Sequence, residues 1–317
     1  MTEGATFFRL FARLYPDYFI SRWFHRLRRR WDQSRAPYPQ RLIPSGSASN
    51  LAIRGLLGLD RPVLIGRLGG LEGATLAHYL RHRPGRPYPE WLRQVMDYSA
   101  GFFSNDDQGL DAYARLTAEA LGDTDLLGVW CAPGEARCLR QCLSESALMV
   151  PLPNLQPFRH ADPWSSLLAA RKVVVVHPFE ASIRQNYARR QWLFEDPSVL
   201  PDFQLEVVRA VQGVTRLETG FSDWFEALES MKARLRELDF EVALVGCGAY
   251  GLPLAAWLKQ QGRQAIHLGG ATQLLFGIRG RRWDERLPPG LCLDHWTRPL
   301  AEETPPDFMG MENGCYW

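Results

Sequence analysis

Long apolar runs are missing from this chain of 317 residues, and so is any strong excess of charge. No stretch approaches the ~20 consecutive apolar residues that a bilayer-crossing helix needs, so no membrane span is expected. A formal net charge of +2 is too small to argue for nucleic acid as a partner. Cysteine is sparse: six residues, none in a C-x-x-C pair and none behind a secretory leader. A disulfide framework is therefore not expected. Cys138 and Cys142 share a helical face by spacing, but two thiols without clustered His partners make a poor zinc site. Reduced, mostly buried thiols and a cytoplasmic location are the expectation. Lysine is nearly absent too: 34 of the 37 basic residues are Arg, a bias that reflects genome composition as much as Arg chemistry.

What is present suits a folded protein. With 46% hydrophobic and 23% charged residues the chain can build a core, as two modest domains or one large α/β domain. Charge is unevenly spread. Residues 1–36 carry eight Arg against Glu3, Asp17 and Asp32, so that stretch is near +5 and the remainder near −3. Within residues 5–31, Phe7, Phe8, Phe11, Leu14, Tyr18, Phe19, Trp23, Phe24 and Leu27 recur at helical spacing with Arg between them, broken at Pro16. Two readings stand side by side. Residues 1–31 suit an interfacial helix on an anionic membrane, or an arm packed on the body of the protein or on another subunit. Residues 37–48, with their prolines and SGSAS, read as a linker.

Beyond the linker the chain alternates, without internal repeats. Apolar runs at 62–66, 126–131, 147–150, 172–176, 204–209, 242–246 and 264–268 are separated by helix-like stretches near 71–83, 108–121, 134–143, 180–195, 221–238 and 252–261. Several runs are continuous, as strands buried on both faces should be. The pattern predicts a Rossmann-like, mainly parallel α/β sheet with helices on both faces over residues 49–282. A Pro- and Gly-rich tail, 283–317, should wrap the surface.

The run VALVG ends in Gly246, Gly248 and Gly251 with G-x-G-x-x-G spacing. In a dinucleotide fold such glycines allow a tight turn, close approach to pyrophosphate and close helix packing. Two features argue against NAD or flavin. The next strand ends in Ile266-His267-Leu268-Gly269-Gly270, where an acid about 20 residues on should bind the ribose. Fewer than 50 residues follow, without βα pattern. The loop is left with two readings, a nucleotide diphosphate site at a helix N-terminus or a tight turn without ligand.

Other strand ends are polar as well: Gly66-Arg67-Leu68-Gly69-Gly70-Leu71-Glu72, His177-Pro178-Phe179-Glu180 with Arg184 a turn later, and His267 through Gln273. Ligands of open α/β sheets bind beyond the carboxyl ends of the strands, so these loops should converge on one crevice. Each also has a structural excuse. Arg67 and Glu72 suit a surface pair, Glu180 a charge favoured at a helix N-terminus, and His267 a satisfied core histidine.

At these residues the chain resembles the bacterial glycosyltransferases of the GT-D fold type. Arg67-Leu68-Gly69-Gly70-Leu71-Glu72 is similar to that family's R-x-G-D-x-E segment. VVVVHPFEASI and LVGCGAYGLPLAAWLKQQGRQAIHLGG are similar to its later strand–loop elements. The resemblance covers roughly residues 50–282. It implies a nucleotide-sugar donor, a UDP-sugar first among them, a glycan or lipid-linked acceptor, and a place in surface polysaccharide assembly, on the inner face of the membrane if the arm docks there. It implies Glu72, Glu180 and His267 as candidate catalytic groups, with Arg67, Gly69, His177, Arg184, Gly246, Gly248, Gly251 and Gln273 around the nucleotide sugar. In the family the Asp and Glu are linked with Mn²⁺ or Mg²⁺, but here Gly70 replaces the Asp and only Glu72 remains. Asp106 and Asp107 could supply the missing ligand, although Asn105 or Asp106 also reads as a helix N-cap; alternatively Arg67 and Arg184 neutralise the diphosphate without metal. Another Rossmann-type nucleotide-dependent enzyme, such as an oxidoreductase, and a catalytically inactive nucleotide-sugar-binding module are the alternatives.

Overall fold

Strands buried on both faces have no polar side to show, and the chain's seven apolar runs form one sheet whose inner strands are of this kind. The computed structural model describes residues 41–317 apart from 83–84, 104–105, 215–217, 285–290 and 312. The N-terminal arm and residues 37–40 of the linker lie outside the described residues. The strands are β1 (Val63–Arg67), β2 (Leu126–Val129), β3 (Leu148–Pro151), β4 (Lys172–His177), β5 (Gln204–Arg209), β6 (Val242–Val245) and β7 (Gln264–His267), in the order β3-β2-β1-β7-β6-β4-β5. Every pairing is parallel. The Rossmann-like α/β expectation is met.

Around the sheet stand α1 (Gly46–Leu57), α2 (Gly70–Arg81), α3 (Glu90–Tyr98), α4 (Asp107–Gly122), α5 (Glu135–Cys142), α6 (Glu180–Tyr187), α7 (Trp224–Arg236), α8 (Gly251–Gln260) and the short α9 (Ala271–Leu275). Helices α1, α3 and α9 stand where the sequence pattern has none, and α6 differs from it in its bounds. Helix α1 starts inside the Ser-rich stretch read as linker, because Ser45 caps it by accepting from the Ala48 N–H. Helix α6 stops at Tyr187, and a 3-10 turn at Arg190–Trp192 then lets Leu193 and Phe194 into the core.

Alternation along the strands divides the core. Leu64, Leu127, Val174, Val176, Ala243 and Val245 face a cluster with α2, α4, α5, α7 and α8. Ile65, Leu126, Val173, Val175, Leu244 and Ile266 face α1, α6, α9 and the closing segment. That segment, expected along the surface, sends Trp296, Met311, Cys315 and Trp317 into this second core. Proline and glycine there exclude regular structure but not burial. At one sheet edge Glu206 and Arg209 of β5 are exposed charges, a means of discouraging strand addition. The other edge is covered where the Ile43 N–H donates to Met149 O and the Met149 N–H donates to Arg41 O. Among the described residues no helix is long and apolar enough to cross a membrane.

This topology opens a crevice. The chain leaves β1 towards α2 on the first face, β7 towards α9 on the second, β6 towards α8 on the first, and β4 towards α6 on the second. Neighbouring loops in the middle of the sheet therefore splay apart, and the gap between them lies beyond the strands' carboxyl ends.

Candidate functional site

A cavity of about 350 Å³ occupies that gap. Of the residues expected there, Arg67, Glu72, His177, Gly246, Gly248, His267 and Gln273 line it, whereas Gly69, Glu180, Arg184 and Gly251 do not. The loop after β5 (Val211 to Val214), together with Arg282, Trp283, Tyr316 and Trp317, adds to the wall.

The β1 end carries the charge. Arg67 is half-buried, and among the described residues it has neither a carboxylate partner nor a hydrogen bond. Its guanidinium lies over the Trp130 ring, 5.4 Å from the centroid. Trp130 is fixed in turn, its indole N–H donating to Leu68 O at 3.0 Å. Behind it the buried Glu135 carboxylate accepts from the backbone N–H groups of Trp130, Cys131 and Ala132. Cys131 holds a left-handed φ of 58° as the chain curls around that carboxylate. Burial pushes the Glu135 carboxyl up to about 7 against these donors and the nearby Arg67 charge. Sequence reasoning missed Glu135, whose only signal was an acid two residues beyond Pro133 in a helix's first turn.

Glu72 sits at the third position of α2, and its carboxylate folds back over Gly69. A Cβ on Gly69 would lie 1.8 Å from Glu72 Oε2, so Gly69 serves Glu72 rather than a ligand. A carboxylate in this place also favours the helix N-terminus.

Both cavity histidines are neutral. Burial pulls His177 down to about 3. Its Nδ1 accepts from the Phe179 N–H at 3.1 Å, which leaves the proton on Nε2. His267 is pulled to about 3 by burial and then by the charge of Arg67. It has the opposite tautomer, Nδ1–H donating to Val245 O at 3.1 Å, with Nε2 as acceptor. A base that weak takes no proton near neutrality, so His267 is corrected from candidate base to positioned acceptor.

The glycine turn has a different explanation from the one its spacing suggests. A Cβ on Gly246 would meet Thr272 Oγ1 at 2.5 Å, and one on Gly251 would meet His267 Cε1 at 2.0 Å. Gly248 takes a φ of +57° with its Cα against Ala100 O, and the Ala249 N–H donates to that same carbonyl. Protein groups thus account for all three glycines. Under the turn Tyr250 stacks on Trp224 at 4.6 Å, and the Tyr250 hydroxyl and Trp224 Nε1 are buried with no partner, a pair of orphaned groups that calls for a water or ligand.

Two further expectations are corrected. Glu180 and Arg184 pair with each other at 3.2 Å, and Arg184 turns to Glu206 and Val207 O on the β5 side of the sheet. The N-terminus of α6 is already filled by the buried Glu303 carboxylate of the closing segment. It accepts from the Ala181 N–H at 2.7 Å, the Ser182 N–H at 3.2 Å and the Ser182 hydroxyl. Gln273 lines the cavity but is buried, with its amide nitrogen donating to Ile278 O and Tyr316 O.

The donor set does not fit a hard cation. No group of three His, Cys, Asp or Glu suited to a metal occurs among the described residues. Asp106 caps α4 through the Gly109 N–H. Asp107 accepts from the Tyr88 N–H and pairs with Arg93, and these contacts hold its carboxyl below the usual range. Among the described residues Glu72 is the one acidic side chain in the lining.

No family model matches the chain, and no curated protein matches it. Among solved structures it is similar to one described as the selenomethionine-substituted structure of domain of unknown function 1792 (DUF1792). The identity is 13%, over 73% of this chain and 78% of that one, with a TM-score of 0.42. A likeness this loose assigns no activity, which leaves the chemistry of the cavity to speak for itself.

Proposed function

We propose that this protein is a nucleotide-sugar-dependent glycosyltransferase whose donor diphosphate binds at Arg67. The carrying observation is the half-buried guanidinium at the β1 end, held on Trp130 without an acidic partner. With no carboxylate in contact among the described residues, such a cation gains from a diphosphate on the order of 4 kcal/mol at contact for an effective dielectric near 20. The Nε2–H of neutral His177 adds an uncharged donor to the same cavity. The aromatic wall of Trp130, Trp283 and Tyr316 offers apolar faces for a base or sugar ring.

In a single displacement the acceptor oxygen bonds to C1 of the sugar. The C1–O bond to the diphosphate breaks with its electron pair leaving on the phosphate. The hydroxyl proton passes to Glu72, among the described residues the one acidic side chain lining the cavity. Arg67 stabilises the charge that grows on the leaving group. A glycan or lipid-linked acceptor, a UDP-sugar donor and a cytoplasmic site of action, with residues 1–31 on an anionic membrane, belong to the same reading.

Calorimetric titration with UDP-, GDP- and ADP-sugars, alongside NADH and FAD, tests it. A nucleotide sugar should bind, and Arg67→Gln should weaken it at least tenfold. Glu72→Gln should keep binding within a few-fold while turnover falls roughly 10²–10⁴-fold. Binding of NADH or FAD with no nucleotide sugar bound would replace this reading with the oxidoreductase one. Binding without hydrolysis or transfer of any donor would favour the inactive module.

A further inference from the structure

At the β1 end one side chain, Trp130, crowds the place where a second acid would stand. A Cβ on Gly70 would meet Trp130 Cη2 at 3.2 Å and Cζ2 at 3.3 Å, tighter than ordinary contact. The indole cannot easily retreat, because its N–H is bonded to Leu68 O and its backbone N–H faces Glu135. The ring therefore stands where a side chain at position 70 would go. The one remaining acid, Glu72, is folded back over Gly69 at the start of its own helix. The same ring carries Arg67. Removing the side chain at 70 and seating a guanidinium on the indole are two consequences of one packing arrangement.

We propose that the Arg67–Trp130 pair is a built-in cation site for a diphosphate, so that this cavity binds a diphosphate group without a divalent ion. The proposal rests on the nucleotide-sugar reading for its biological ligand, but its own ligand class is the diphosphate itself. Guanidinium presents up to five N–H donors in a fixed fork that matches phosphate oxygens. Stacking on the indole face fixes that fork and strips part of its water, which strengthens its pull on an anion. Gly269, with φ +59°, brings its Cα against the Arg67 side chain, a Cβ there lying 3.3 Å from Cδ. That closes the other side of the arginine stem. A divalent ion would have to lodge beside this fixed positive charge with one carboxylate to hold it, whereas Mg²⁺ and Mn²⁺ favour more oxygen ligands than that.

The probe is inorganic pyrophosphate, titrated into the full chain by calorimetry in EDTA and again in Mn²⁺, with free pyrophosphate matched between the two. The expected result is an affinity that agrees within about twofold between the two conditions. Arg67→Gln should lower it roughly 10- to 100-fold, the loss of a charge-assisted contact. Arg67→Lys, which keeps the charge but not the fork, should fall in between. The paired substitution Gly70→Asp with Trp130→Ala opens the space and adds a carboxylate, and its affinity should become Mn²⁺-dependent by at least tenfold. Circular dichroism melts establish that each variant is folded. Pyrophosphate that binds the wild type only with Mn²⁺, or not at all, overturns the proposal. So does a folded Arg67→Gln variant that binds unchanged, or a folded double variant still indifferent to Mn²⁺. Pyrophosphate binding as expected without binding of any nucleotide sugar would sustain this inference and refute the glycosyltransferase reading alone.

Discussion

Replacing Glu135 by Gln should make the protein markedly more sensitive to mild acid, although the side chain lies behind the cavity wall. His177 and His267 have an ordinary value of 6.5 and lie at about 3 in the fold. As pH falls through 6.5 the unfolded chain takes up these protons and the folded one does not, so stability falls. From pH 8 to 5 each histidine removes about 2 kcal/mol, hence ~4 for the pair. Glu135 works the other way. Its folded value of about 7 lies above the ordinary 4.5, so the native state binds a proton first. Over the same interval that returns about 2.5 kcal/mol. The native protein should therefore lose only ~1.5 kcal/mol from these three groups, and Glu135→Gln the full ~4. Half-buried His78 and His160, also pulled down by burial, deepen both losses equally. Urea unfolding at pH 8, 6.5 and 5 measures the change within each protein, which cancels any constant cost of the substitution. Parallel stability curves for the two proteins would refute the opposed-titration argument.

Two other substitutions test the packing. Glu303→Ala should cost about 2–4 kcal/mol, because the Ala181 and Ser182 donors at the start of α6 would be left buried and unpaired; Glu303→Gln should cost less, and a melting temperature unchanged in both would show the cap to be dispensable. Gly251→Ala should destabilise by roughly 1–3 kcal/mol by pushing on the His267 ring. Most of that should return in the double variant with His267→Ala, and additivity of the two losses would dismiss the steric account.

All seven strands were legible, most of them because burial on both faces leaves an unbroken apolar run such as KVVVV or VALV. Helix α3 was not, because EWLRQVMDY follows a Pro-rich stretch that reads as loop. The crevice at the strand ends was legible from topology alone, and with it Arg67, Glu72 and the two histidines. What each group does there was less so. Glu180 and Arg184 flank the right strand end, but they pair with each other at i,i+4 and Arg184 reaches on to Glu206. The G-x-G-x-x-G spacing is genuine, yet the demand for Gly251 comes from a histidine on the next strand. Glu303 caps a helix more than a hundred residues earlier, and no local pattern encodes a partner at that range.

The strand order also sets a schedule. β1 lies at the middle of the sheet, but its neighbour β7 begins at Gln264, some 200 residues later in the chain. At ~5–20 residues per second of synthesis, the edge of β1 waits roughly 10–40 s for its partner. During that time the edge that Val63, Leu64 and Ile65 present to β7 stays open. An apolar strand paired on one side only is an adhesive edge in a nascent sheet. The same arrangement that places Arg67 in the cavity thus leaves the newborn chain with an open strand edge until β7 arrives.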